Sequence, residues 1–498
     1  MSEAPSTTVQ PAATAGDTAQ ITARDSTAEI DASCRWPLLF LFTSSSLWLV
    51  LGTMLGLLAA IKFHGPSFLS DCPWLTLGRV RPAAMNAVVY GFASQAGMGV
   101  LIWMLCRLGG VRLAFQWPVI VGWKLWNIGV TVGVIAILAG ASTGFELLEM
   151  PRYASGILLV AYLLIGLCAV ATFTMRRQRD LFPSQWYVLV ALFWFPWAYI
   201  IGNDLLFVDS VRGTMQAVVN AWYVGNLLGL WLAPIGLAAI FYFLPKLTGR
   251  PLFSSPLASF AFWCFAFFTA WSGLTTLVGA PVPRWMPAVS SAATLCLLVP
   301  ILANGWNWYF THAGNPSAWK KDVVLKFIYA AAACFLLHGL ASIVLALPRV
   351  SELASLTWAG PGRHLFFLHG FVALALFGGI YYILPRVLQV NWANQAWIQI
   401  HLICTVAGAA LLFVGLVLGG LSQGAQMADV NVSFVVLAKK MAPFVGLSSL
   451  GMLVLLCGQG LFLGNLALML RDFCRSVYAT ACGMICGDAA TTSKGGSR

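Results

Sequence analysis

The sequence predicts an all-α polytopic membrane protein with about twelve transmembrane helices. Three observations carry that fold class. Of its 498 residues, 60% are hydrophobic and only 9% are charged, whereas soluble domains carry about a quarter charged residues. Apolar runs recur along the chain, each near the roughly 20 helical residues needed to cross a hydrocarbon core about 30 Å thick. The runs are long, uncharged and not alternating, which argues against strands, and a spanning helix satisfies its own backbone hydrogen bonds.

The elements follow in order. Residues 1–35 are rich in Ala, Thr, Ser, Asp and Glu, nearly free of large apolar side chains, and expected to form a disordered cytoplasmic tail. They lack the charged-then-apolar pattern of a cleavable secretory signal. The membrane domain, 36–472, opens with runs near 37–62 and 86–106, the second preceded by Arg79-Val80-Arg81-Pro82. Runs near 119–141 and 154–175 come next, with Lys124 expected to snorkel from the start of the third. The fifth, near 186–207, ends beside Asn203 and Asp204, and Asp204 reads as an interfacial or capping group rather than an ion site. The sixth, near 217–245, closes on FYFLPKL, and the tenth, near 364–385, closes on IYYILPRV. In both, Pro is expected to stop the helix, the aromatics to sit at headgroup depth, and Lys246 or Arg386 to meet the anionic leaflet. The echo hints at internal repetition. The seventh, near 256–279, carries Ser272-Gly273 and the pair Thr275-Thr276 near its end. Runs near 287–311, 325–347, 397–422 and 443–470 complete the twelve, and 473–498 is expected to be a flexible cytoplasmic tail.

The formal net charge of +12 does not point to nucleic acid. If connections alternate between the two faces, the face bearing both termini holds 18 of the 28 Lys and Arg, including Arg176-Arg177-Arg179 and Lys320-Lys321. That is the positive-inside pattern, and it places both termini in the cytoplasm. The acidic N-terminus is unlike a transit peptide, which favours a bacterial inner membrane. The twelve cysteines are scattered without metal-ligand spacing and read as packing residues. So few ionisable groups within the spans weigh against secondary active transport.

Five stretches carry a family resemblance: PWLTLGRVRPAAMNAVVYGF (73–92), WYVGNLLGLWLAPIGLAAIFYFLPKLTGRP (222–251), FWCFAFFTAWSGLTTLVGAPVPRW (262–285), ANGWNWYF (303–310) and FGGIYYILPRV (377–387). Together they resemble subunit I of the cbb-type, or C-family, haem-copper cytochrome c oxidases, from roughly residue 50 to 425. The resemblance implies the haem-copper oxidase subunit I fold, a low-spin haem, a high-spin haem and a copper ion, and reduction of oxygen with proton transport. Six histidines hold those groups in the family, because neutral imidazole suits haem iron and copper in a dry bundle. In this chain the positions are vacated. Ala84, followed by Met85, stands at the low-spin haem ligand; Gly225, before Asn226, and the pair Thr275-Thr276 stand at the copper ligands; Arg363 and Leu365, flanking His364, stand at the remaining haem ligands. FLLHGLASIVLAL (335–347) holds no tyrosine to serve as the family's cross-linked one.

Ala, Gly and Leu offer no ligand atom, a neutral hydroxyl binds copper poorly beside imidazole, and a guanidinium does not deprotonate. No haem and no copper are therefore expected. Met85 and His364 are the candidate substitute ligands, with His364 about 100° round the helix from either neighbouring position. His64, His312, His338, His369 and His401 read as structural groups between helices or at interfaces. The vacated haem pocket is expected to be collapsed or to hold lipid, since interiors tolerate voids poorly. The expected function is a redox-silent structural or assembly partner of other membrane subunits in a respiratory complex, including a cytochrome c-type subunit, and not an enzyme on its own. The alternatives are an active terminal oxidase or nitric-oxide-reductase-like subunit holding haem b and copper through unconventional ligands, or a carrier or channel reusing the bundle.

Overall fold

The structure is a computed structural model describing the backbone of residues 15–208 and 211–492, with side chains described over 27–208, 211–320 and 322–480. Among the described residues there is no strand, and twelve helices are long and apolar enough to cross a membrane. They are α1 (Ala15–His64), α2 (Leu77–Gly109), α3 (Gln116–Ala139), α4 (Arg152–Thr174), α5 (Pro183–Phe207), α6 (Thr214–Thr248), α7 (Ser255–Leu277), α8 (Trp285–Ala313), α9 (Val323–Ala346), α10 (Ala359–Leu388), α11 (Gln395–Met427) and α12 (Phe434–Thr492). Every apolar run read from the sequence has its helix.

The ends differ from expectation. α1 begins at Ala15, so the expected disordered tail 1–35 is helical from 15 onward, and its residues 1–14 lie outside the described residues. Ile30 and Cys34, one turn apart, are buried, and Asp31 accepts from the Trp103 indole at 3.0 Å and pairs with Arg107 at 3.3 Å. Glu29 pairs with Arg112. The segment is polar on average, yet one face is apolar and its acids meet the basic end of α2. The expected tail 473–498 is likewise helical as far as Thr492, starting with the buried Phe473; no proline interrupts that stretch, and 493–498 lie outside the described residues.

Pro245 and Pro385 do not stop their helices. α6 and α10 run three residues further and end against left-handed Gly249 (φ 65°) and Gln389 (φ 57°). A proline disturbs the carbonyl four residues before it. For Pro385 that carbonyl belongs to Tyr381, and the Trp392 indole donates to it at 3.0 Å. Arg386 donates to the Tyr382 carbonyl at 2.8 Å and lies 3.4 Å from the centroid of the Tyr382 ring.

Three helices form the centre. Over their most apolar stretch α2, α6 and α10 are 100%, 89% and 100% buried, against 28–50% for the other nine. Each changes from α to a π-helical turn at mid-span, over Ala87–Ala93, Leu227–Leu232 and Phe367–Val372. Such turns are rare and concentrate at functional sites. α7 leaves regular helix after Trp271, turns at Gly273 (φ 108°), and finishes in a tight turn over Leu274–Leu277. The connection 140–151 folds into the bundle with Leu147, Leu148 and Met150 buried, and the Tyr90 hydroxyl donates to the Leu147 carbonyl at 2.5 Å.

Candidate functional site

α10 carries Arg363 and His364 in the last turn before its π segment. Helical geometry separates neighbouring side chains by about 100°, and the two residues border two cavities. The first is walled by Arg81, Ala84 and Met85 of α2, by Leu365 and His369 of α10, by α1, α11 and α12, and by Glu146 of the inserted connection. The second is walled by Gly225 of α6, Thr269 and Thr275 of α7, His338 of α9, Arg363, and side chains of α8. His364 borders both.

The positions singled out in the sequence therefore fall into two groups. Ala84, Met85, His364 and Leu365 meet at the first cavity, and Gly225, Thr275 and Arg363 meet at the second. Thr276 joins neither: it is exposed, with its hydroxyl 3.4 Å from the Gly273 carbonyl, whereas Thr275 is buried and its carbonyl accepts from Ser351 at 2.8 Å. Both lie in the tight turn that follows Gly273, which buries one and exposes the other. Gly225 is closed by backbone, because a Cβ there would stand 2.8 Å from Gly273 Cα and 3.1 Å from the Ser272 carbonyl. The contact is mutual, since a Cβ on Gly273 would stand 3.1 Å from Gly225 Cα, and 2.9 Å from the Ala221 carbonyl. Phe366 packs on Phe413 and Phe367 on His338, at 4.8 and 4.9 Å between ring centres; Phe367 stands in the wall of the second cavity, and Phe366 borders neither.

Residues 37–454 match the family described as "Cytochrome C and Quinol oxidase polypeptide I". The chain belongs to that family. It is similar to the "Cytochrome c oxidase subunit 1 homolog" of Azorhizobium caulinodans, 23% identical over 83% of this chain and 78% of the relative. The "Cytochrome c oxidase subunit 1 homolog, bacteroid" of Bradyrhizobium diazoefficiens is 24% identical over 87% and 82%. The "Cbb3-type cytochrome c oxidase subunit CcoN1" of Stutzerimonas stutzeri is 22% identical over 87% and 92%. The twelve-helix bundle is the haem-copper oxidase subunit I fold.

In this oxidase polypeptide I chain the two cavities are joined by a charged chain. Glu146 Oε1 lies 3.2 Å from His364 Nδ1, and Arg363 Nη2 lies 3.4 Å from His364 Nε2. A guanidinium only donates and a carboxylate only accepts, so Nε2 accepts and Nδ1–H faces Glu146. Burial works against ionisation of Glu146, but half its side-chain surface is open; the hydrogen bond from His364, with the charges of Arg81 and Arg363, holds the carboxyl below its ordinary value. Glu149, three residues on, is buried, and burial outweighs its hydrogen bond from Asn86 (2.7 Å) to lift it from 4.5 to about 7.

Sequence reading missed Glu146, Glu149, Arg81, His338 and His369 as site residues. The available signal was ELLE at 146–149, a pair of carboxylates in a short connection of a chain with only 16 acidic residues. His338 and His369 line the second and first cavities, each with Nδ1 buried and unpartnered. His64 meets Ser449, His312 meets Tyr329 and His401 meets Tyr381. Lys124 and Asp204 are exposed, in keeping with snorkelling and interfacial roles.

Proposed function

We propose that this family member is a redox-silent relative of cbb-type subunit I that keeps the bundle and has given up haem and copper, serving as a structural or assembly partner in a respiratory membrane complex. The observation that carries this reading is Gly225, whose place in the copper-ligand set is closed by the Gly273 backbone. The rest of the donor set agrees: Ala84 and Leu365 have no ligand atom, Arg363 brings a fixed positive charge, and Thr276 turns away from the cavity. The donors present do not fit the two haems and the copper, and no redox step is derived through them. The lysine and arginine asymmetry supports a bacterial inner membrane with both termini cytoplasmic, beside other membrane subunits and a cytochrome c-type subunit.

The test is an absorption spectrum of the affinity-purified protein, oxidised and dithionite-reduced, with haem and copper assayed on the same sample. Neither group is expected; stoichiometric haem overturns the reading.

One observation favours a second reading, a single haem held by unconventional ligands. Met85, His364 and His369 border one cavity, and thioether and imidazole are both haem ligands. Against it, the Nε2 lone pair of His364 is directed at Arg363 and its Nδ1–H at Glu146. Under this reading Met85→Leu or His369→Ala abolishes or shifts a haem band that the unmodified protein shows.

A further inference from the structure

The second cavity has a composition of its own. Arg363 is the only Lys, Arg, Asp or Glu side chain in its wall. Hydroxyls of Thr269, Thr275, Thr294 and Ser342 stand in the same wall, and Phe265, Phe335, Phe367, Ile301 and Ile343 supply the apolar remainder. Two polar atoms here are buried without a partner, Thr269 Oγ1 and His338 Nδ1, and His338 Nε2 has only a long contact of 3.5 Å to Ser342 Oγ. The charges do not balance either. Across the two cavities Arg81 and Arg363 contribute two guanidiniums, and Glu146 is the single carboxylate in either wall. Among the described residues no carboxylate lies within ion-pair distance of Arg363, whose guanidinium meets His364. A guanidinium inside a membrane bundle is costly unless an anion or a set of acceptors meets it.

We infer that the second cavity binds an amphiphile with an anionic head, a carboxylate or phosphate ester on an alkyl chain, the head on Arg363 and the chain against the phenylalanines. The planar guanidinium suits a two-oxygen anion, and the cavity pairs many apolar contacts with few convergent polar groups. The inference rests on the reading that no metal occupies this cavity, and it assigns the vacated copper side a ligand of different chemistry.

The experiment uses the full chain in neutral detergent, with thermal melting and native mass spectrometry as readouts. The probes are oleate, dioleoyl phosphatidate and, as the uncharged control, oleyl alcohol. The expected result is a rise in melting temperature and a retained adduct with at least one anionic probe, no rise with the alcohol, and loss of the response in Arg363→Gln with partial recovery in Arg363→Lys. A response to oleate alone identifies free fatty acid as the source, and a response to phosphatidate alone identifies phospholipid. An equal shift with oleyl alcohol, no shift with either anion, or an undiminished response in Arg363→Gln overturns the inference. Should Arg363→Gln not fold, Ser342→Phe decides by filling the cavity: a lost response supports it and a retained one overturns it. Haem in the same sample sinks the redox-silent reading separately, while the Arg363-dependent response still decides this one.

Discussion

Gly225 shows how a single missing Cβ fixes chemistry. The position is closed by the Gly273 backbone at 2.8 Å, so an added methyl must push a turn that is itself held at φ 108°. Gly225→Ala is expected to lower stability by about 1–3 kcal/mol through overpacking, read as a fall in melting temperature; a variant as stable as the parent would refute the closure. Glu149 gives the pH counterpart. Its folded value of about 7 lies above the ordinary 4.5, so between those values the folded state holds a proton that the unfolded state has lost. Stability therefore falls as pH rises from 4.5 to 7 and levels off above, by on the order of 3 kcal/mol at most. Glu149→Gln is expected to flatten the decline in melting temperature between pH 5 and 8; equal slopes in the two proteins would remove Glu149 as the cause.

At the scale of elements, the prolines and the π turns carry the lesson. α10 passes Pro385 because the Trp392 indole satisfies the freed Tyr381 carbonyl. Trp392→Phe keeps an aromatic side chain but removes the donor and part of the buried volume, and is expected to cost at least about 1–2 kcal/mol, seen as lowered melting temperature and faster hydrogen exchange at the end of α10. The three central helices place their vacated positions within four residues of a π segment: Ala84 before Ala87, Gly225 before Leu227, Arg363 and Leu365 before Phe367. The irregular turns persist although no imidazole occupies these positions. The helices themselves were legible, since twenty apolar residues are a local signal. Their ends at 15 and 492 were not, because residues 27–35 owe their order to Trp103, Arg107 and Arg112 of another segment.

For the whole molecule, the positions singled out in the sequence line two cavities that meet at His364. If the first cavity holds no haem, Ala84→Leu adds apolar volume to free space, and its melting temperature and expression are expected to match the parent within about 1 kcal/mol of stability. A large loss of either would mean that the space is already filled.

Family membership and the twelve spans were present in the linear chain, and so were the residues at the positions compared with the family's ligands. Hydropathy and residue identity are properties of each position, and Ala84, Gly225, Arg363 and Leu365 declare their lack of imidazole wherever the chain folds. What the ligand-free positions became was decided by tertiary structure alone. The connection 140–151 brings Glu146 against His364, the turn after Gly273 buries Thr275 and exposes Thr276, backbone closes Gly225, and Phe366 packs on Phe413 while Phe367 joins the wall of the second cavity. Each depends on where a distant segment lies, which no local periodicity encodes, and together they shape the two cavities that meet at His364.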